Sequence, residues 1–212
     1  ELVEVKKDGI VCVDTIIAAI KSNTSLISLM LANNELGTIQ PLKEVVEYAN
    51  KNNIMVHTDA VQCLGKMNVD VTSLGIDFLS LSAHKFYGPK GIGALYVKNP
   101  KKINALIIGG SQEKDLRAGT ENISAIAGMG LAAELSTTSL NQKIKSLQTL
   151  ETQFKDGLND FFNNAVFNGN QFKKLPGIVN VSFPNFRSDK MMIQLDRKKI
   201  AVSNGSACGS GN

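Results

Sequence analysis

The chain has 212 residues, 43% hydrophobic and 20% charged, with a formal net charge of +4. That is long enough and apolar enough to bury a core without disulfides or metals, as one large domain or one domain and part of another. Its basic clusters (Lys101 and Lys102, Lys173 and Lys174, Arg197 to Lys199) are too short for a nucleic-acid arm, and no apolar stretch can span a bilayer.

In chain order, residues 1–5 lack the basic region and apolar run of a signal peptide. They also lack an initiator Met, so further residues are expected upstream. Residues 25–31 read as a buried strand. Pro41 opens a helix through Asn50 with an apolar stripe at Leu42, Val45, Val46 and Ala49. Residues 54–57 and 76–82 are the next strands. Residues 92–97 return after a Gly/Pro turn as a hairpin-like partner. Strands alternating with helices argue for an α/β domain with a mostly parallel sheet, whose ligands gather at the strands' carboxyl ends. Residues 109–119 form a loop. Residues 122–162 are helical, with a break expected between Ser136 and Asn141. A turn at residues 168–170 precedes an alternating strand at 178–183, a helix at 189–195 and a short strand at 200–202. The division expected is 1–135 for the second part of a large domain and 136–212 for the start of a small α+β domain. Residues 203–212 are nearly all small or polar, a flexible-loop composition.

Lys85 is the first residue with chemistry to explain. It follows an apolar strand that ends in Ser82, Ala83 and His84, and it precedes Gly88, Pro89, Gly91 and Gly93. A lysine at the end of a fixed element forms a Schiff base with an aldehyde once its amine is deprotonated. Ser82 and His84 can donate to a phosphate, and the glycines let the backbone come close. Pyridoxal phosphate fits these needs. Asp59 follows the strand at 54–57, where an unpaired carboxylate would be costly; a pyridinium nitrogen is a suitable partner, because the protonated ring draws electrons from a substrate's α-carbon. Gln62 lies within reach of the ring's phenolic oxygen. Asn33 and Asn34, after the strand at 25–31, are turn formers or ligand contacts on equal terms.

These stretches, with Glu35 to Gly37, Gly109 to Glu113, Arg117 to Asn122 and Ser203 to Cys208, run in one order from near one end of the chain to the other. Together they resemble the class V branch of the fold-type I aminotransferase superfamily, and within it the cysteine desulfurases of the NifS/IscS type. The resemblance implies a PLP fold-type I large domain and a role for each residue. Lys85 would carry the cofactor and shuttle the substrate proton. Asp59 would pair with the pyridine nitrogen, Gln62 with the ring oxygen, and Ser82 and His84 with the phosphate. Asn34 would lie by the ring and the substrate carboxylate. Thr120 would reach the phosphate of a neighbouring subunit, implying a homodimer with shared sites, and Gln112, Glu113 and Arg117 would shape its loop.

Cys208 separates a desulfurase from its relatives. Its Gly/Ser-rich surroundings cannot build a core, which argues for a reactive thiol. The implied reaction converts L-cysteine to L-alanine with a persulfide on Cys208, for an acceptor protein in iron–sulfur cluster assembly or tRNA thiolation. Another class V enzyme (an aminotransferase or selenocysteine lyase) and an inactive fragment are the alternatives. Cys12 and Cys63 read as structural. The three cysteines, odd in number and far apart, argue against a disulfide framework and for a reducing compartment, the cytoplasm. No Cys or His pair has zinc-ligand spacing. Ser111 and Lys114 depart from the glycine and arginine common in the family. The family's upstream phosphate turn and ring-stacking His, and the Arg beyond the cysteine loop, have no counterpart, so about half to two-thirds of the enzyme is expected here.

Overall fold

The computed structural model describes residues 1–205. Its centre is a four-stranded sheet in sequence order: β1 (Leu26–Met30), β2 (Met55–Asp59), β3 (Phe78–Ser82) and β4 (Gly93–Val97). The first three are parallel, and β4 returns antiparallel beside β3, as the Gly/Pro turn predicts. The register pairs Met30 with Asp59 and Asp59 with Ser80, so the carboxyl ends of β1 and β2 lie level.

Helix α1 (Val13–Ala19) precedes the sheet, and α2 (Leu42–Lys51) joins β1 to β2. Pro41 serves as the N-cap of α2 rather than its first helical residue. The stripe Leu42, Val45, Val46 and Ala49 is buried, and three of these join Leu31, Ile54, Val56, Ile76 and Leu79 in the main core. Each such Leu, Ile or Val contributes about 1.5–3 kcal/mol by leaving water. A short turn of helix, α3 (Val71–Leu74), is capped by Asp70, whose side chain accepts from the Thr72 and Ser73 amides. The buried carboxylate of Asp77 is satisfied by the Val56 N–H at 3.0 Å, which ties the start of β3 to β2.

Two long helices follow, α4 (Ile123–Thr138) and α5 (Leu140–Phe161), broken at Ser139 within the expected window. Helix α4 is apolar all round, the pattern of a helix enclosed on every side. Only Ala125, Ala132 and Ser136 are buried here, while Ile123, Leu131 and Leu135 stand exposed. A small antiparallel pair, β5 (Val166–Phe167) and β6 (Val181–Ser182), and α6 (Ser188–Arg197) complete the described residues.

Two expectations are corrected. The strand at 178–183 shrinks to Val181–Ser182, because β5 offers only two residues to pair with. Residues 200–202 form no strand: no β-pairing to them is found among the described residues, and Ile200 instead donates to the Leu195 carbonyl at the end of α6.

Candidate active site

Three loops leave the carboxyl edge of the parallel strands, and the predicted site residues sit on them. After β1, Leu31 N–H donates to the Asp59 carbonyl, which keeps the first two loops together. Asn33 is the turn former of its pair: its Oδ1 accepts from Glu35 N at 2.9 Å and Leu36 N at 2.8 Å. Asn34 is half-buried beside it.

Asp59 is the last residue of β2, which runs two residues beyond the strand expected at 54–57. Its Oδ1 accepts from Val61 N at 2.8 Å, so it both shapes the turn and presents a carboxylate at the strand end. Gln62 follows, half-buried.

The third loop carries Ser82, His84 and Lys85. Ser82 closes β3, and its Oγ lies 2.8 Å from His84 Nδ1. Lys85 is half-buried on a 3-10 turn, residues Ala83–Phe86, whose first and last residues are buried. Phe86 is 1% exposed and packs with Ala83 and Ala132 of α4, and Ser136 of α4 donates to the Phe86 carbonyl. Lys85 is therefore held from both sides by groups that cannot move without opening a core. The strand behind it needs a glycine: a Cβ at Gly93 would lie 2.6 Å from the Leu81 carbonyl oxygen.

Sequence reasoning missed a polar ladder across this sheet. Ser28 Oγ lies 2.8 Å from His57 Nδ1, and His57 Nε2 lies 2.9 Å from Ser80 Oγ. Burial pushes the His57 pKa down, and the Asp59 charge offsets only part of it. The available signal was alternation, since Ser28, His57 and Ser80 are polar positions in otherwise apolar runs and share a face with Asp59 and Ser82. Sequence reasoning also passed over Lys66, whose ammonium reaches Gln62.

Thr120 is exposed in the loop ahead of α4, and Gln112 of the same loop accepts from Gly119 N at 3.2 Å. Cys63 is fully buried and its thiol is pushed up to about 12 by desolvation, which makes it inert near neutral pH. Cys12 is the N-cap residue of α1, and the neighbouring Thr15 lowers its pKa. Cys208 lies outside the described residues. Among the described residues, no group of three or more His, Cys, Asp or Glu could hold a metal ion, and no helix is long and apolar enough to cross a membrane. A cavity of about 890 Å³ runs along the open edge of β1 beside residues 1–5, and neither Lys85 nor Asp59 lines it. We place the site at the strand ends instead, because the titratable groups converge there.

The donor set fits pyridoxal phosphate. An anchored lysine suits its aldehyde, a strand-end carboxylate its ring nitrogen, and an adjacent hydroxyl and imidazole its phosphate.

Comparison with known proteins agrees. The aminotransferase class-V family model matches residues 1–211. The chain is 44% identical over 206 residues to "Cysteine desulfurase IscS" of Dictyoglomus turgidum, covering 97% of this chain and 52% of that protein. It is 45% identical over 206 residues to the protein of the same name from Methanosarcina thermophila, covering 97% and 51%. Among solved structures, a "NIFS-LIKE PROTEIN" superposes with a TM-score of 0.92 at 36% identity, covering 96% of this chain and 56% of that one. A NifS-like protein from Rickettsia africae gives 0.90 at 32% identity, covering 96% and 57%. The chain thus spans about half the length of the curated relatives it matches. Its mixed, mostly parallel sheet is the large-domain fold of the PLP fold-type I desulfurases, and this chain belongs to the aminotransferase class-V family of pyridoxal phosphate-dependent proteins.

Proposed function

We propose that the protein containing this chain is a cysteine desulfurase that converts L-cysteine to L-alanine and holds the sulfur as a persulfide on Cys208. The observation that carries this reading is the convergence of Asp59, Gln62, Ser82, His84 and Lys85 on one edge of the sheet. Bound pyridoxal phosphate supplies an electron sink for the amino acid joined to it. The Asp59 carboxylate keeps a proton on the ring nitrogen, Gln62 meets the ring's phenolic oxygen, and Asn34 lies by the ring and the substrate carboxylate. Ser82 and His84 hold the phosphate, and the Lys85 amine takes the α-proton. The Cys208 thiolate then attacks the substrate sulfur: an S–S bond forms and the Cβ–S bond breaks. Its electron pair returns to carbon, where protonation completes alanine.

Thr120 completes the site of a second copy in this reading. Support comes from the exposed apolar side chains that flank it, Leu106 and Ile108 on one side and Ile123 on the other, as expected of a homodimer face. Residues 1–135 belong to the large domain and 136–212 to the small one. The persulfide passes in the cytoplasm to an acceptor protein for cluster assembly or tRNA thiolation.

The test uses the full-length protein with two variants. Lys85→Ala should lose the yellow colour of the Lys85–cofactor linkage, which borohydride bleaches in the unmodified protein as it fixes the cofactor to the Lys85 peptide. Cys208→Ser should keep that colour and lose sulfide release from L-cysteine in the presence of reductant, down to background. Undiminished sulfide release from Cys208→Ser would assign the chain to another class V activity, and no colour in the unmodified protein would leave a scaffold or fragment.

A further inference from the structure

Lys66 lies four residues beyond Gln62. Its Nζ donates to the Gln62 backbone carbonyl at 3.1 Å and reaches Gln62 Oε1 at 3.5 Å. The residue is half-buried, and none of the ion pairs among the described residues includes it. Burying an ammonium without a carboxylate is costly, and a methionine of similar reach would fill the space at less cost. The charged groups around it do not relieve that cost. Lys85 faces it from the 3-10 turn and Lys143 from α5, while Cys63 and Asp59 lie on the segment before it. Burial is the largest influence and lowers the Lys66 pKa; Cys63 acts against it, but its thiol is uncharged near neutral pH, and the two lysine charges act with burial.

The pairing has a directional consequence. An ammonium carries donors and no acceptor, whereas an amide carries one end of each kind with nearly the same shape. The end of Gln62 that meets Lys66 must be its oxygen. Its NH₂ end then faces away from Lys66. Without the cation, the amide can turn over and present either end.

We propose that Lys66 is a positioning residue that fixes the Gln62 amide with its NH₂ end toward the phenolic oxygen of the cofactor. This rests on the assignment of Gln62 to that oxygen in the proposed function. A fixed donor stabilises the oxygen as an anion and so makes the neighbouring Lys85 linkage easier to deprotonate. With the amide free to turn, oxygen can face oxygen, and the linkage keeps its proton to higher pH.

The experiment follows the absorbance of the cofactor-loaded, full-length protein against pH, which reads the titration midpoint of the Lys85 linkage independently of turnover. Lys66→Met should raise that midpoint by about half a unit to one unit, the size of one hydrogen bond. Lys66→Arg, which still donates, should restore the original midpoint. Gln62→Leu should raise it as Lys66→Met does, and Lys66→Met should add nothing in the Gln62→Leu background. Should Lys66→Met fail to fold, as judged by thermal unfolding of the cofactor-free protein, Lys66→Ala takes its place with the same expectation. An unchanged midpoint overturns the proposal. So does an equal shift with and without Gln62, which would make Lys66 a direct charge effect. A wild-type protein that takes up no colour overturns the cofactor reading itself, a result plainly different from a coloured protein whose midpoint ignores Lys66.

Discussion

Between Leu26 and Val97 the side chains that hold the chain together are apolar and inaccessible: Leu31, Leu42, Val46, Ile54, Val56, Ile76 and Leu79 form one buried cluster. Between Leu140 and Arg197 almost nothing is enclosed. Neither α5 nor α6 buries a residue fully, and Leu175 alone is buried in that stretch. What holds the second region is polar and aromatic. Glu151 accepts from Lys155 at 2.6 Å and from Lys174, and Phe162 meets Phe183 and Phe186 edge-on with ring centroids 5.8 Å apart. The contrast teaches where the site's rigidity comes from: the strand ends that carry Asp59 and Lys85 are fixed by the first kind of packing. The second region meets the first at a seam where Leu175 N donates to the Gly37 carbonyl and Ile39 N to the Lys173 carbonyl, and again where Lys143 of α5 lies over the Tyr87 ring at 4.5 Å.

The sharpest way to break the comparison is a core truncation. Leu79 is 2% exposed in the middle of β3, so Leu79→Ala should cost about 2–5 kcal/mol and be read as a fall in the denaturant midpoint. Cofactor uptake should fall with it, since β3 ends in Ser82 and leads into the Lys85 turn. An equal loss from truncating exposed Phe154 of α5 would erase the distinction between the two regions.

Glu151 tests the polar side. Burial raises its pKa, but the hydrogen bonds from Lys155, Lys174 and Gly177 outweigh that and hold the carboxyl below its usual range. Its partner fares differently: desolvation lowers the Lys174 pKa despite the pair, so the attraction does not fully offset the burial of the cation. Removing one partner strands the other, which is the costly move. Glu151→Ala should therefore cost about 1–3 kcal/mol, less than a dry pair because Lys155 is partly in water. A Glu151→Leu, Lys174→Met double variant should recover most of that loss. Hydrogen exchange would show the cost locally, as faster exchange at Ile39 and Leu175 than at the centre of β2. Uniform loosening would count against the seam.

The same contrast explains what could be read from sequence. The four strands of the sheet, α2 and the break between α4 and α5 were legible because periodicity in runs such as 42–49 and 78–82 records which side faces a core. The short strands of the second region were not. Residues 178–183 and 200–202 have strand-like alternation, yet a strand needs a neighbour, and partner length is not written in the segment itself. Ser82 at the end of its strand and Lys85 in the turn after it were legible from their local motif, whereas Asp59 was expected just past a strand that in fact includes it. The Ser28–His57–Ser80 ladder and the reach of Lys66 to Gln62 were not legible, since both depend on register or side-chain direction across a turn.

That ladder supplies the smallest expected effect. Neutral imidazole has one donor and one acceptor, and the Ser28 and Ser80 hydroxyls can complement either arrangement. Imidazolium would need both hydroxyls to accept and would carry a charge into a half-buried position, which is why burial lowers the His57 pKa. The sign follows from linkage: near the ordinary His pKa of about 6.5 the unfolded chain binds more protons at this position than the folded one, so stability rises with pH through that window. Lowering the pH from about 7.5 to about 5.5 should therefore lower the stability of the cofactor-free protein slightly, less than either substitution above. The carboxyls held low by their partners, Glu151 and Asp8 among them, lose their contribution only at more acid pH, so the window is clean of them. His57→Gln, which keeps polar contacts to both serines and cannot titrate, should flatten the dependence. If the variant loses stability over the same window as strongly as the unmodified protein, the proton is being taken up elsewhere and the ladder is only a set of contacts.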